Sequence, residues 1–521
     1  MTFFRSMAAV SGLTLLSRFL GYFRDVMIGS IFGDSGLSDV FFQAFRLPNL
    51  FRRLFAEGAL NSAFVPLFAR LNEHTNKRAA LKFACTVFTI LALVLIGLVI
   101  VFELWMPEMM AVLAPGFKKI PHKFQLAVDL GRIVFPYILF IALAALCAGI
   151  LNSLHKFAVA TASPVLLNIF CILALLWPVS TLAETSTLLS WSVLIAGIAQ
   201  FAWVLVSCHH LDFPLKFCAI KMTPEVKLLL RRMGPGMASA GVYQINLLVS
   251  NSVASFVPMA VSYLAYADRI NQFPLSVVGI AIGTVLLPLL SQQLGRHEDR
   301  QANHLENRVL QFSFFLTLPA TVALFCLALP VIITLFQHGR FTFEMSREVA
   351  GILSIYILSL PANVLVKILS TSFFARHNTF IPMMAASISI GSNLVLTLIL
   401  FHFFSYYGIA AAGVISSWIN VIILGLSLLK KTPFTFDQRL RSSVFRLLLA
   451  SLGMGGILQL ILPFVLPYFG QEIFYDFVLL AGYMAVGLGT YLALVVLFKG
   501  FTRKEFNAAM NKTEEEEQTG R

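Results

Sequence analysis

The feature that most constrains this chain is the recurrence of apolar runs, each about 20 residues long, from one end to the other. Runs of that length suit helices that cross a bilayer, because a helix rises about 1.5 Å per residue and the hydrocarbon core is about 30 Å thick. Composition agrees: 58% of the 521 residues are hydrophobic, only 12% are charged, and there are 49 Phe. Mean hydropathy is +0.83. A soluble domain carries about twice that share of charge, so most of this surface faces something other than water. The reading is an all-α polytopic membrane protein with about fourteen transmembrane helices. Expected spans are 4–31, 40–70, 82–106, 126–152, 160–180, 187–207, 227–257, 260–292, 308–336, 347–374, 380–403, 406–429, 441–468 and 475–499.

The net charge of +13 sits in separate loops rather than one patch, which argues against nucleic acid. Basic loops contain Arg70, Lys77, Arg78 and Lys82; Lys216, Lys221, Lys227, Arg231 and Arg232; Lys430, Lys431, Arg439 and Arg441; and Lys499, Arg503 and Lys504. They alternate with short polar or acidic ones, Asp34 to Asp39, Glu184, and Glu472 to Asp476. The positive-inside rule places the basic set and both termini in the cytoplasm. Lys118, Lys119 and Lys123 break the pattern on the outer side. The first stretch has Arg18, Arg24 and Asp25 where a signal peptide needs an apolar core, so it reads as a retained span. The six cysteines show no CxxC pair and no Cys/His metal spacing, so neither a disulfide framework nor a metal site is expected.

An internal repeat organises the chain. Arg46 recurs as Arg269, Phe64–Phe68 as Leu286–Leu290, and the pair Pro107 and Gly116 as Pro330 and Gly339, at an offset of 222 to 223. This gives two six-helix lobes, 1–220 and 221–435, then a two-helix hairpin over 436–500 and a cytoplasmic tail, 501–521. Such lobes enclose a central cavity, where substrates of repeat-built transporters bind.

Ionisable groups inside spans are costly and mark pathways or sites. Here they gather in the first, second and eighth spans: Arg18, Arg24, Asp25, Asp39, Arg46, Arg52, Arg53, Glu57, Asp268 and Arg269. Arg46, Asn49, Arg53 and Glu57 follow steps of three, four and four and form one helical stripe. Arg52 lies about 100° away, so either Arg52 or Arg53 faces the cavity. Arg24 with Asp25, and Arg53 with Glu57, are equally well placed to pair with each other. Arg18, Arg52 and Arg269 together exceed the nearby acids, and an anionic ligand is the economical partner, since guanidinium forks match phosphate oxygens. Arg18 and Arg24 are about 240° apart on a straight helix. Facing one cavity requires a bend, for which Gly21 is the expected hinge, with Pro48 loosening the second span.

The runs Ser17-Arg18-Phe19-Leu20-Gly21-Tyr22-Phe23-Arg24-Asp25 and Phe45-Arg46-Leu47-Pro48-Asn49-Leu50-Phe51-Arg52-Arg53-Leu54-Phe55-Ala56-Glu57-Gly58-Ala59-Leu60 resemble the MurJ (MviN) family of lipid II flippases. So does Tyr266-Ala267-Asp268-Arg269 followed by Phe273-Pro274, and the likeness runs the whole length of the chain. That family lies in the multidrug/oligosaccharidyl-lipid/polysaccharide exporter superfamily, which works by alternating access. The resemblance implies that Arg18, Arg24, Arg52 and Arg269 serve the pyrophosphate of an undecaprenyl-linked peptidoglycan precursor. It also implies that Asp39, Asn49, Glu57 and Ser262 are functionally sensitive, and that the final hairpin holds the polyprenyl tail. Gln272 and Asn378 stand where some members carry acids, so cation coupling does not carry over from the family.

The resulting expectation is a flippase of the bacterial cytoplasmic (inner) membrane, N-in and C-in. Its partners are lipid II, membrane lipid and other cell-wall synthesis proteins. It has no cofactor, and its coupling is to membrane potential or a monovalent cation. The alternatives are a flippase for another polyprenyl-pyrophosphate oligosaccharide, or a drug/cation antiporter of the superfamily, although an arginine-rich cavity repels cationic drugs. An enzyme acting on polyprenyl phosphates is disfavoured, because no DxD or DDxxD metal-holding cluster occurs.

Overall fold

The computed structural model describes residues 2–53, 61–74, 76–295 and 299–498, and among these every regular element is helical. That is what lipid demands, since each backbone N–H and C=O must find its partner within its own segment. The order is α1 (Thr2–Phe32), α2 (Leu37–Arg52), α3 (Asn61–His74), α4 (Lys77–Leu104), α5 (Met106–Leu113), α6 (Pro121–Val134), α7 (Tyr137–Ser153), α8 (Phe157–Leu176) and α9 (Leu182–His210). Then come α10 (Pro224–Ala254), α11 (Ala260–Gly295), α12 (Asp299–Cys326), α13 (Ala328–Phe336), α14 (Phe343–Tyr356), α15 (Leu360–Ala375) and α16 (Phe380–Lys431). The hairpin α17 (Gln438–Val465) and α18 (Ile473–Leu497) closes the series. Polar residues outside the apolar runs start the helices. Asn76 caps α4, Asp437 caps α17, and Thr181 and Glu184 form a reciprocal capping box at α9.

Nine stretches among the described residues are long and apolar enough to cross a membrane. Two of them, Pro121–Ser153 and Phe343–Ala375, join consecutive helices across a short break. A third, Phe380–Lys431, would be roughly 78 Å long as one rod, far more than a bilayer accommodates. Ser405 divides it, with non-helical φ 52 and ψ −138. α1, α2 and α11, which fall outside the nine along with α10, carry most of the arginines and aspartates singled out above.

The sequence repeat is also a repeat of helices. α1 and α10 begin at 2 and 224, α2 and α11 at 37 and 260, and α4 and α12 at 77 and 299. α5 and α13 begin at 106 and 328, α6 and α14 at 121 and 343, α7 and α15 at 137 and 360, and α8 and α16 at 157 and 380. Every offset is 222 or 223. α9 begins at 182 and the break in α16 falls at 405, which continues the series.

Packing groups the chain into two compact units. One is Met1–Ser262 with His338–Thr342, and the other is Tyr263–Gln337 with Phe343–Arg521. In the first, α1 lies along α8, while α7 and α8 lie along α9. Phe64 stacks on Phe68 and on Phe83, each at 5.5 Å. In the second, α12 lies against α17, and α17 against α18. Tyr491 Oη donates to the Phe315 carbonyl at 2.8 Å and so ties the final hairpin to α12. The other side of that hairpin stays apolar and open: Phe464 is 77% and Phe474 80% exposed, as a lipid-facing surface requires.

Candidate functional site

In α1 the two arginines have different fates. The helix runs unbroken through Gly21, and six residues at about 100° each turn Arg18 and Arg24 to different sides. Arg18 is exposed, whereas Arg24 and Asp25 are buried. Arg24 donates to Asp25 Oδ1 from Nε at 3.0 Å and from Nη2 at 2.7 Å, and to Asn168 Oδ1 on α8 from Nη1 at 3.1 Å. The pairing of Arg24 with Asp25, one of two readings open from sequence, is therefore what the fold contains.

α2 continues through Pro48 and carries Arg46, Asn49 and Arg52, with Arg53 as its C-cap, all half-buried. Asn49 donates to the Phe45 carbonyl at 3.1 Å, and its Oδ1 accepts from Arg52 Nε at 3.2 Å. Asn49 thus aims the Arg52 guanidinium. Glu57 lies outside the described residues. In the second unit, Asp268 and Arg269 are half-buried on α11, and Gln272 is exposed and donates to Asp268.

Asp39, in the first turn of α2, is fully buried. Its carboxylate accepts from four donors: Met259 N at 2.9 Å, Ser262 N at 2.9 Å, Ser262 Oγ at 2.7 Å and Lys123 Nζ at 2.9 Å. The two backbone donors belong to the start of α11, so Asp39 acts as an N-cap supplied from a distant part of the chain. Lys123 lies over the Phe117 ring at 4.4 Å, and Lys119 over Phe256 at 5.4 Å. Two of the three lysines that break the loop-charge pattern thus have partners in the fold. Sequence reasoning missed Lys123 because its counterion is 84 residues away. It also passed over Asn168, although a lone amide in an apolar span is itself a signal.

Two backbone crossings accompany Asp39. Gly116 N donates to Ser255 Oγ at 3.0 Å, and Arg340 N donates to the Ser30 carbonyl at 2.7 Å. Gly116 and Gly339 are repeat equivalents, and both are crowded. A Cβ on Gly116 would run into the Ser255 backbone, and one on Gly339 would sit 2.5 Å from Ser30 O. Each repeat thus lays a glycine turn on the end of the other repeat's first helix.

Chemically, this arrangement carries guanidinium groups on α1 and α2 and ties α2 to the start of α11 through one carboxylate. Among the described residues no three His, Cys, Asp or Glu side chains gather to hold a metal ion.

The family model described as lipid II flippase MurJ matches residues 28–479. A probable lipid II flippase MurJ of Rhizobium meliloti is 42% identical over 88% of this chain and 86% of its own length. A solved structure of a lipid II flippase MurJ in an inward closed conformation superimposes with a TM-score of 0.78 at 29% identity, covering 94% of this chain and 98% of that one. An inward-facing multidrug-resistance MATE transporter of the MOP superfamily, with a TM-score of 0.61 at 16% identity over 81% of this chain and 96% of its own, shares the fold. With its membrane-spanning helices and its repeat, this multi-pass protein of the bacterial inner membrane belongs to the MurJ family of lipid II flippases.

Proposed function

We propose that this chain moves lipid II, the undecaprenyl-pyrophosphate-linked peptidoglycan precursor, from the inner to the outer leaflet by alternating access. Family membership over most of the chain carries this reading. The cations support it: Arg18 is exposed and Arg52 is held by Asn49, on helices that otherwise face packed neighbours or lipid. A pyrophosphate suits such groups, because a planar fork can grip two oxygens at once. Arg18, Arg52 and Arg269 are its ligands, and Arg24 supports them from its pair with Asp25.

The same reading has fourteen spans with both termini in the cytoplasm, two lobes over 1–220 and 221–435, and a hairpin over 436–500 that takes the polyprenyl tail. The basic loops and the apolar face of α17 and α18 support these points. Asp39, Ser262, Lys123 and the two glycine turns fasten the starts of α2 and α11 and the ends of α1 and α10 within one packed unit. Translocation needs no chemistry on the substrate, and the driving force is membrane potential or a monovalent cation. The test is movement of labelled lipid II across vesicles by the purified protein.

A further inference from the structure

Asn168 is the residue through which α8 grips α1. In α8 only Thr161, Ser163 and Asn168 interrupt an apolar run, and Asn168 is buried. A bare amide in a bilayer is costly, so its partners report what holds it there. Two lie on α1: Oδ1 accepts from Arg24 Nη1 at 3.1 Å, and Nδ2 donates to the Ser17 carbonyl at 2.9 Å. Nδ2 also lies 3.5 Å from the Pro164 carbonyl of its own helix.

Ser17 and Arg24 are seven residues apart, about two turns, and so lie on one face of α1 with Gly21 between them. In a regular helix the Ser17 carbonyl pairs with the Gly21 N–H. A bend at Gly21 opens that bond, and inside a bilayer an opened carbonyl must find its partner on a neighbouring helix. Asn168 already has its donor on that carbonyl. Ser17 also precedes Arg18, so the tether sets the roll of the segment that presents Arg18.

We propose that Asn168 is a positioning residue for transport, whose Nδ2–H keeps the Ser17 carbonyl satisfied as α1 bends at Gly21. Meanwhile Oδ1 holds Arg24 against α8 and Arg18 swings. This rests on the transport reading above. It assigns a role to a side chain that need not touch substrate at all.

Two variants of the full-length protein test it in proteoliposomes. Asn168→Asp keeps an acceptor for Arg24 and loses the donor to Ser17, whereas Asn168→Leu loses both. Spin labels at Leu15→Cys and Ile31→Cys, with the six native cysteines replaced, report the bend. The wild type should show two distance populations and Asn168→Asp only the longer. Asn168→Asp should also slow lipid II movement about tenfold or more, the scale set by one buried carbonyl left without a donor. Its thermal stability and lipid II binding should stay near wild type. A wild-type rate, an unchanged distance distribution in Asn168→Asp, or a single population in the wild type overturns the proposal. If Asn168→Leu fails to insert, Asn168→Asp still decides. If the wild type moves no lipid II, the flippase reading falls, while the distances still judge the hinge.

Discussion

Asp39 and Ser262 stand 223 residues apart, the spacing at which the helices of this chain repeat, and they are hydrogen-bonded to each other twice. Both residues lie in the same compact unit, so equivalent positions of the two repeats are in direct contact there. The symmetry is broken chemically: one repeat supplies a carboxylate, the other a serine. Gly36 before α2 and Met259 before α11, also 223 apart, share a left-handed backbone, with φ 75 and 63. The carboxylate is what turns two like helix starts into a donor and an acceptor.

The first prediction concerns that carboxylate. Asp39→Asn leaves the half-buried Lys123 without its counterion, and breaking a pair with one fully buried member costs up to about 3–5 kcal/mol. Losing the pair should loosen the joint between α2 and the start of α11. Labelling of Ser30→Cys by an impermeant thiol reagent from outside should rise several-fold in Asp39→Asn. Labelling as slow as in the unaltered background contradicts the role given to this pair.

Crowding at Gly116 gives a second. Gly116→Ala forces a methyl group into the Ser255 backbone and should destabilise by about 1–3 kcal/mol, seen as a lower melting temperature. Gly97→Ala, in mid-helix with nothing within 4 Å, should be neutral or slightly stabilising. Equal behaviour of the two removes the crossing from the account.

The two arginines of α1 should part company. Arg24→Ala strips a buried carboxylate of its partner and should lower thermal stability by several kcal/mol. Arg18→Ala should fold like wild type and yet fail to transport, with Arg18→Lys rescuing poorly for want of a bidentate fork. Thermal melts run beside a transport assay separate the pair. The reverse assignment of stability and transport would sink it.

Much of this was legible in the sequence. Apolar runs fixed where α4 and α6 to α9 lie, because burial in lipid leaves the backbone no other option. The repeat was visible in Arg46 and Arg269 before any helix was placed. The wiring between distant residues was not. Lys123 looked like an exception to a charge rule, since nothing local reveals that Asp39 is its partner. The sequence already offers Asp25 as a partner for Arg24 and none for Arg18, but Asn168 on α8 as a further partner of Arg24 was not legible. A helical wheel gives direction around one helix but not the neighbour that lies there.

Topology can be checked independently. Ser35→Cys, on an exposed turn, should react with an impermeant reagent in intact cells, and Arg78→Cys only after permeabilisation. Reaction of both from one side contradicts the assigned orientation.

Arg18, Arg52 and Arg269 are proposed to serve the passage of a polyprenyl pyrophosphate across the membrane. The direct measurement is the initial rate at which purified protein in sealed vesicles brings fluorescent lipid II to an external trap. Wild type is compared with Arg18→Ala, Arg52→Ala and Arg269→Ala. The account predicts vectorial movement by the wild type and at least about a tenfold loss in each variant, the scale of one lost charge-assisted contact. No movement by the wild type, or wild-type rates in all three variants, would contradict it.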